Sequence, residues 1–458
     1  MTLRFYRILL TLVVVWAMAQ TLAAAERPAR DLAAGKTAYA ESCARCHGVD
    51  GRGDGVDAKR FYPRPRDLTM GVYKFRSTAS GTPPTDDDLF HTITRGLPGS
   101  NMPDWQHLPE ETRWQLVEYL KSLSDVFANT APEPIVVADD PGSKHADLTK
   151  GKSLYTQLGC ASCHGVQGRA NGSSAATLVD DWGKPIRPAN LTKGWSYRGW
   201  PAPRDIMLRV LAGIDGAGMP SYTGAVSPED AWHLAYYVAS LQEPLHEHRI
   251  ARAAHVTGAL PQTVDDPAWG AAESTLVQLR NAVTSDGEWV EPPTVIAASF
   301  QVLINEEAMA LRVTWDDASQ ERVAPADALA LLLKPEAARG DVVTLQAWPF
   351  QGAQRLDCSY WSAGQTEAFE LLAATFEDAV ERRGTSVALT SAAVYDDGRW
   401  QLVLQRPLRP VSPAGAAVVT PDTFASFAFA VWDGGSPGAR MVSPWVDVAL
   451  GSAQRRNE

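Results

Sequence analysis

The chain has 458 residues, with 45% hydrophobic and 21% charged side chains, which is ordinary for water-soluble globular domains and too long for a single core. A formal net charge of -11 argues against nucleic acid as a partner, because neutralising phosphates needs a basic face. Nothing after the N-terminal segment is apolar for long enough to span a bilayer.

That segment, 1–25, reads as a cleavable export signal. Arg4 and Arg7 precede the apolar run Ile8 to Trp16, and Ala23-Ala24-Ala25 supplies the small residues of a cleavage site. The mature chain would begin at Glu26 in the periplasm. Two similar segments follow: Gly35-Lys36-Thr37-Ala38-Tyr39 leads to Cys43-Ala44-Arg45-Cys46-His47, and Gly151-Lys152-Ser153-Leu154-Tyr155 leads to Cys160-Ala161-Ser162-Cys163-His164. Cys43 and Cys160 are 117 positions apart, as are Met102 and Met219, each followed by Pro, and Tyr119 and Tyr236. One offset shared by several positions indicates a duplicated module.

Cys-x-x-Cys-His is the attachment signature of c-type haem. Two thiols one helical turn apart reach two vinyl groups on one porphyrin edge, and the next residue, His, falls beneath the iron. Cys43, Cys46, Cys160 and Cys163 are therefore the expected attachment residues, and His47 and His164 the proximal ligands. Met102 and Met219, each 59 residues beyond the first Cys, are the expected sixth ligands. A thioether there raises the potential and closes the iron. Zinc binding fits poorly, since 114 positions separate Cys46 from Cys160. A thioredoxin-like pair needs a strand before the motif, where this sequence reads as helix.

Leu116, Tyr119, Leu120 and Leu123 fall on one helical face, and Ser227-Pro228-Glu229-Asp230 is a helix start. Between haem motif and Met, Tyr62-Pro63-Arg64-Pro65-Arg66-Asp67-Leu68-Thr69 matches Ile186-Arg187-Pro188-Ala189-Asn190-Leu191-Thr192. These arginines suit either haem propionates or solvent. Thr69 lies 26 residues past Cys43 but Thr192 lies 32 past Cys160, so two haems in these modules would have different surroundings. His91, His107 and His233 sit at no repeated position and read as surface or core histidines.

After residue 264 the pattern becomes β. Phe300, Val302 and Ile304 alternate with polar residues, Leu311 to Trp315 continues in that style, and Asp397-Gly398 between Tyr395 and Trp400 signals a hairpin. Phe427 to Trp432 ends at Asp433-Gly434, and the fifth cysteine, Cys358, reads as a core residue. The expected architecture is two mainly-α domains, 26–130 and 149–245, then a mainly-β sandwich at 265–455, with linkers at 131–148 and 246–264.

Residues from about 30 to 245 resemble a tandem pair of class I-type cytochrome c domains. Arg66-Asp67-Leu68-Thr69, Lys74-Phe75-Arg76-Ser77-Thr78 and Asn101-Met102-Pro103 resemble small cytochromes that serve respiratory molybdenum enzymes. Asp266-Pro267-Ala268-Trp269, Arg406-Pro407-Leu408 and Ala430-Val431-Trp432-Asp433-Gly434 resemble the haem-binding subunit of ethylbenzene dehydrogenase. That resemblance implies a third haem, of b type, between a Met and a Lys. Here Gln351-Gly352 stands where Met-Gly is expected, and beyond residue 250 the ligand inventory is Met309, Met441, Lys334 and His255. Met309 reads as lying at a turn, Lys334 as reaching solvent, and Met441 as able to point inward, a poor set for low-spin haem. The expected function is periplasmic electron transfer between a respiratory oxidoreductase, with a molybdenum enzyme as the implied partner, and the electron-transport chain. The alternatives are a dihaem enzyme such as a cytochrome c peroxidase, and a ligand-binding protein.

Overall fold

The computed structural model describes residues 31–245, 250–281, 295–334, 356–373, 380–381, 389–409, 417–421, 423–436 and 440–451. The expected signal segment, 1–25, and Gln351-Gly352 lie outside them. Among the described residues, no helix is long and apolar enough to cross a membrane.

Each helical module is built around crossed terminal helices. Leu32–Ser42 packs against Glu110–Ser122 in the first module, and Leu148–Gln157 against Pro228–Ser240 in the second. Gly35 and Gly151 make the crossings possible: a Cβ there would lie 2.1 Å from the Gln115 carbonyl oxygen and 2.3 Å from that of His233. Each crossing is completed by a tyrosine pair, Tyr39 on Tyr119 at 5.0 Å and Tyr155 on Tyr237 at 5.6 Å. The packing counterpart of Tyr119 is thus Tyr237. Tyr236, which keeps the sequence offset, instead donates to Asp140 Oδ1 at 2.8 Å. The helix Pro228–Ser240 opens on Ser227, whose side chain caps the Asp230 N–H.

The linker 131–148 runs over both modules: Ile135 N–H donates to Ser77 O at 2.9 Å, and Trp232 Nε1 to Ala138 O at 2.9 Å. The modules also pack on each other. Arg76, with its side chain fully buried, pairs with Asp215 at 2.8 Å and donates to Ala212 O at 3.0 Å. Arg66 of the first module lies 4.7 Å over the Trp182 ring of the second, and Arg95 lies 4.5 Å over Trp200. Trp182 belongs to the longer loop of the second module, so the loop-length difference legible in the sequence forms part of the contact between modules.

The rest is β: β1 (Ile250–His255), β2 (Thr275–Gln278), β3 (Arg280–Asn281), β4 (Ala297–Ile304), β5 (Ala308–Asp316), β6 (Ala328–Leu333), β7 (Leu356–Ser362), β8 (Phe369–Ala373), β9 (Val380–Glu381), β10 (Thr390–Asp396), β11 (Arg399–Pro407), β12 (Phe424–Trp432), β13 (Arg440–Val442) and β14 (Val446–Ala449). They form one 14-stranded sheet with the main order β10-β11-β5-β4-β1-β14-β12-β6-β7-β8-β9. One expectation is corrected here. The stretch 246–264, expected as a linker, contributes β1, whose first three residues pair with β14 and last three with β4. β1 thus passes from one half of the β domain to the other and joins them in one curled path. The halves fold over each other: Phe300 of β4 meets Phe429 of β12 at 4.9 Å, and Trp361 of β7 meets Trp400 of β11 at 5.1 Å.

The Asp397-Gly398 hairpin forms as expected, with φ of +42° and +76° at its two loop residues, joining β10 to β11. Cys358 is fully buried. Met309 corrects another expectation. It lies inside β5 and is fully buried in the main core, because the turn falls one step earlier at Asn305 to Glu307. Met441 is buried in the same core, and Lys334 lies 4.9 Å over the Trp445 ring.

Candidate haem sites

Tyr39 precedes the first Cys-x-x-Cys-His turn, and its hydroxyl donates to Gly48 O at 2.8 Å, pinning the residue after His47. Tyr155 does the same to Gly165 O at 2.7 Å. The motif itself is a single helical turn in each module, Ala44–His47 and Ala161–His164. That turn presents Cys43 and Cys46, and Cys160 and Cys163, as thiols outside any disulfide. His47 Nδ1 lies 3.1 Å from Arg66 O, and His164 Nδ1 lies 2.9 Å from Ala189 O. A carbonyl can only accept, so Nδ1 carries the proton and Nε2 keeps its lone pair for a metal. Burial lowers the pKa of both imidazoles, which favours this neutral form.

The loops that carry those carbonyls are also alike. Leu68 N–H donates to Gly51 O at 2.7 Å and Leu191 N–H to Gly168 O at 2.6 Å. Thr69 Oγ1 donates to Asp67 Oδ1 at 2.6 Å, and Thr192 Oγ1 to Asn190 Oδ1 at 2.7 Å. On the far side, Met102 O accepts from Leu97 N–H at 3.0 Å, and Met219 O from Ile214 N–H at 3.0 Å. Gly96 and Gly213, at φ of +60° and +70°, turn the chain into these Met loops.

In the first module these elements enclose a cavity of about 210 Å³. Cys43, Cys46, His47 and Met102 all line it, with an apolar wall that includes Leu89, Ile93 and Leu116. The cavity also holds Arg66, Lys74 and Arg198, none of which makes an ion pair among the described residues. Burial and the charges of Arg66 and Arg198 push the Lys74 ammonium down to about 7. The buried Tyr73 hydroxyl, also on the wall, has no hydrogen-bond partner among the described residues. An apolar slot with two thiols, an imidazole, a thioether, three gathered cations and an orphaned hydroxyl fits a porphyrin with two anionic propionates.

Of the residues expected from the sequence, Cys43, Cys46, His47 and Met102 line this cavity, as do Arg64 and Arg66. Lys74 and Arg198 are not among the expected site residues. Arg198 comes from the second module, and no spacing within the first could reveal it. Arg187, the expected counterpart in the second loop, instead lies 3.5 Å from Ser436 of the β domain. His91 packs edge-on against Trp200 at 5.1 Å, and His233 Nδ1 accepts from Asp147 N–H at 3.1 Å. His107 packs beside Trp105 at 5.4 Å, and His255 Nε2 sits 2.6 Å from Leu450 O.

These sites have the arrangement of cytochrome c domains, a class that implies covalently bound haem c. Residues 30–120 and 146–238 each match the family model of cytochrome c oxidase, cbb3-type, subunit III. Both helical modules are thus similar to that family, and the match leaves the β domain outside it. The chain is 29% identical over 219 residues to the cbb3-type cytochrome c oxidase subunit CcoP of Azospirillum sp. (strain B510), covering 46% of this chain and 62% of that protein. It is 27% identical over 218 residues to subunit FixP of Azorhizobium caulinodans, covering 46% and 59%. The chain thus spans about three fifths of the curated relatives it matches. Among solved structures, a chain of the reducing HAO-like protein complex of Kuenenia stuttgartiensis is 42% identical, covering 46% of this chain and 96% of that one, with a TM-score of 0.44.

Proposed function

We propose that the chain is an exported dihaem c-type cytochrome that passes electrons between a respiratory oxidoreductase, a molybdenum enzyme by the resemblances of its sequence, and the electron-transport chain. The observation that carries this reading is the convergence of Cys43, Cys46, His47 and Met102 on one cavity. The same backbone bonds recur around Cys160, Cys163, His164 and Met219. Haem c supplies a reversible one-electron centre. The protein's part is to attach it through two thiols, to hold the imidazole tautomer, to bring the thioether loop across the cavity, and to offset propionate charge with Arg66, Lys74 and Arg198. A peroxidase would need one sixth position open or displaceable, and the two Met loops are closed by the same bridge. The β domain would act as the docking surface for the partner, without a haem of its own.

Mass spectrometry of the denatured, periplasmically matured protein tests this. It should show two added haem masses and a new N-terminus at Glu26. A spectrum lacking either haem would overturn the dihaem reading, and a retained Met1 the cleaved-signal reading. Acidified solvent should extract no haem from the full chain. One extractable equivalent, lost in Met441→Ala or Lys334→Ala, would place a b-type haem in the β domain.

A further inference from the structure

Away from both haem sites, four carboxylates converge where β5 ends and the β12 turn begins. They are Asp317, Glu321, Asp327 and Asp433, and one oxygen from each lies within 4.8 Å of the others. Asp317, Asp327 and Asp433 are 1%, 0% and 4% exposed. Buried carboxylates are normally paired or bound to metal. Among the described residues, no Lys or Arg forms an ion pair with any of the four. The Arg187 guanidinium, whose charge acts on Asp433, is directed at Ser436 Oγ.

Backbone N–H groups and one indole N–H hold part of the cluster. Asp327 Oδ1 accepts from Gly434 N–H at 2.9 Å, and Oδ2 from Glu321 N–H at 2.8 Å and Trp400 Nε1 at 3.0 Å. Asp433 Oδ1 accepts from Gly435 N–H at 2.8 Å, and Asp317 Oδ1 from Ser319 N–H at 3.3 Å. A second observation is independent of the clustering: Asp317 Oδ2 and Glu321 Oε2 are buried and have no hydrogen-bond partner among the described residues. In a shared-proton network these two oxygens would bond a neighbouring carboxyl; left without partners inside the cluster, they are free to hold an ion.

We propose that this cluster is a calcium site. The donors are all oxygen, which selects a hard cation. Four oxygens within 4.8 Å of one another can surround one such ion, and calcium takes cages of protein oxygens where magnesium keeps several of its waters. The ion ties the loop after β5 to the turn after β12. Asp316, the residue before Asp317, bonds the second cytochrome domain through Asn190 at 2.9 Å and Lys193 at 3.2 Å, so calcium steadies the face on which that domain sits. This proposal does not depend on the haem assignment.

The test uses the full, haem-loaded protein after EDTA treatment and dialysis, with CaCl₂ as the probe. Titration calorimetry at pH 7 should show one Ca²⁺ per chain, and added Ca²⁺ should raise the melting temperature by at least ~3 °C, with Mg²⁺ much weaker. Asp317→Asn and Asp433→Asn should each abolish the binding heat. In EDTA, Asp317→Asn should melt no lower than the wild type, because it removes repulsion, so lost binding is not misfolding. No heat and no shift in the wild type would overturn the proposal, as would calcium binding that survives in both variants. Equal protection by Mg²⁺ would overturn the assignment to calcium.

Discussion

Met102 sits at the end of a five-residue excursion closed by its own carbonyl on the Leu97 N–H, and Ser100 Oγ also accepts from the Met102 N–H at 3.2 Å. The backbone therefore positions the thioether whether or not the side chain is kept. Met102→Ala should leave haem attached, lower the potential of one centre, and let cyanide bind that iron in redox and optical titrations. Met219→Ala should do the same at the other. At Arg198 the argument concerns charge. Its guanidinium reaches the first cavity from the second module, stacked 5.3 Å from the Tyr62 ring. Arg198→Gln should lower the first centre's potential, since a cation near propionates disfavours the oxidised, more positive iron. It should leave the second centre's potential nearly unchanged, and a redox titration resolving both waves checks this.

At the scale of elements, the terminal helices cross where only a hydrogen fits. Gly151→Ala would force a methyl against the His233 carbonyl and the Tyr237 Cβ, 2.6 Å away. Overpacking of this kind costs about 1–3 kcal/mol, and the second domain should melt earlier while still taking up haem. The helix stripes, the Ser227 cap and the Asp397-Gly398 hairpin were all legible in sequence because each depends on neighbours a few residues away. Met309 was misread because a one-step shift of a turn moves a residue from loop to strand interior. Tyr236 shares the sequence offset of Tyr119 but not its packing, because offset ignores a shift of one residue between a helix and its neighbours.

Across the whole molecule, the second cytochrome domain is fastened to the β domain by a small set of charges. Asp316 pairs with Lys193 at 3.2 Å and Arg399 at 2.6 Å, and Arg399 reaches Glu243 at 2.7 Å. The Asp397-Gly398 hairpin tip rests on the loop after the second haem motif, with Arg169 Nη1 donating to Asp397 O at 2.9 Å and Asn171 Nδ2 to Asp397 Oδ1 at 3.2 Å. Asp316→Ala leaves two cations at a buried face with Glu243 as their remaining partner, and should cost roughly 3 kcal/mol of stability, read from denaturant unfolding. Although burial itself raises it, the cations and hydrogen bonds around Asp316 hold its pKa down to about 2 from 3.8. A depressed carboxylate stabilises the folded state above its unfolded pKa and loses that contribution as pH falls through its folded one. The contact should therefore hold from neutrality to about pH 4 and weaken from there towards pH 2. Melting curves against pH should show that loss in the wild type, and less of it in Asp316→Asn.

The sequence by itself marked the proposed haem chemistry, since the expected attachment and proximal ligation lie within five consecutive residues and the duplication marks both copies. It also determined that strands follow helices, because alternation and turn residues are local. Only the tertiary structure decided that β1 joins the sheet into one curled surface, that Arg198 serves the neighbouring module's cavity, and that four carboxylates far apart in sequence meet at one point. Those outcomes depend on which distant segments fold against one another, and neither periodicity nor motif spacing carries that information.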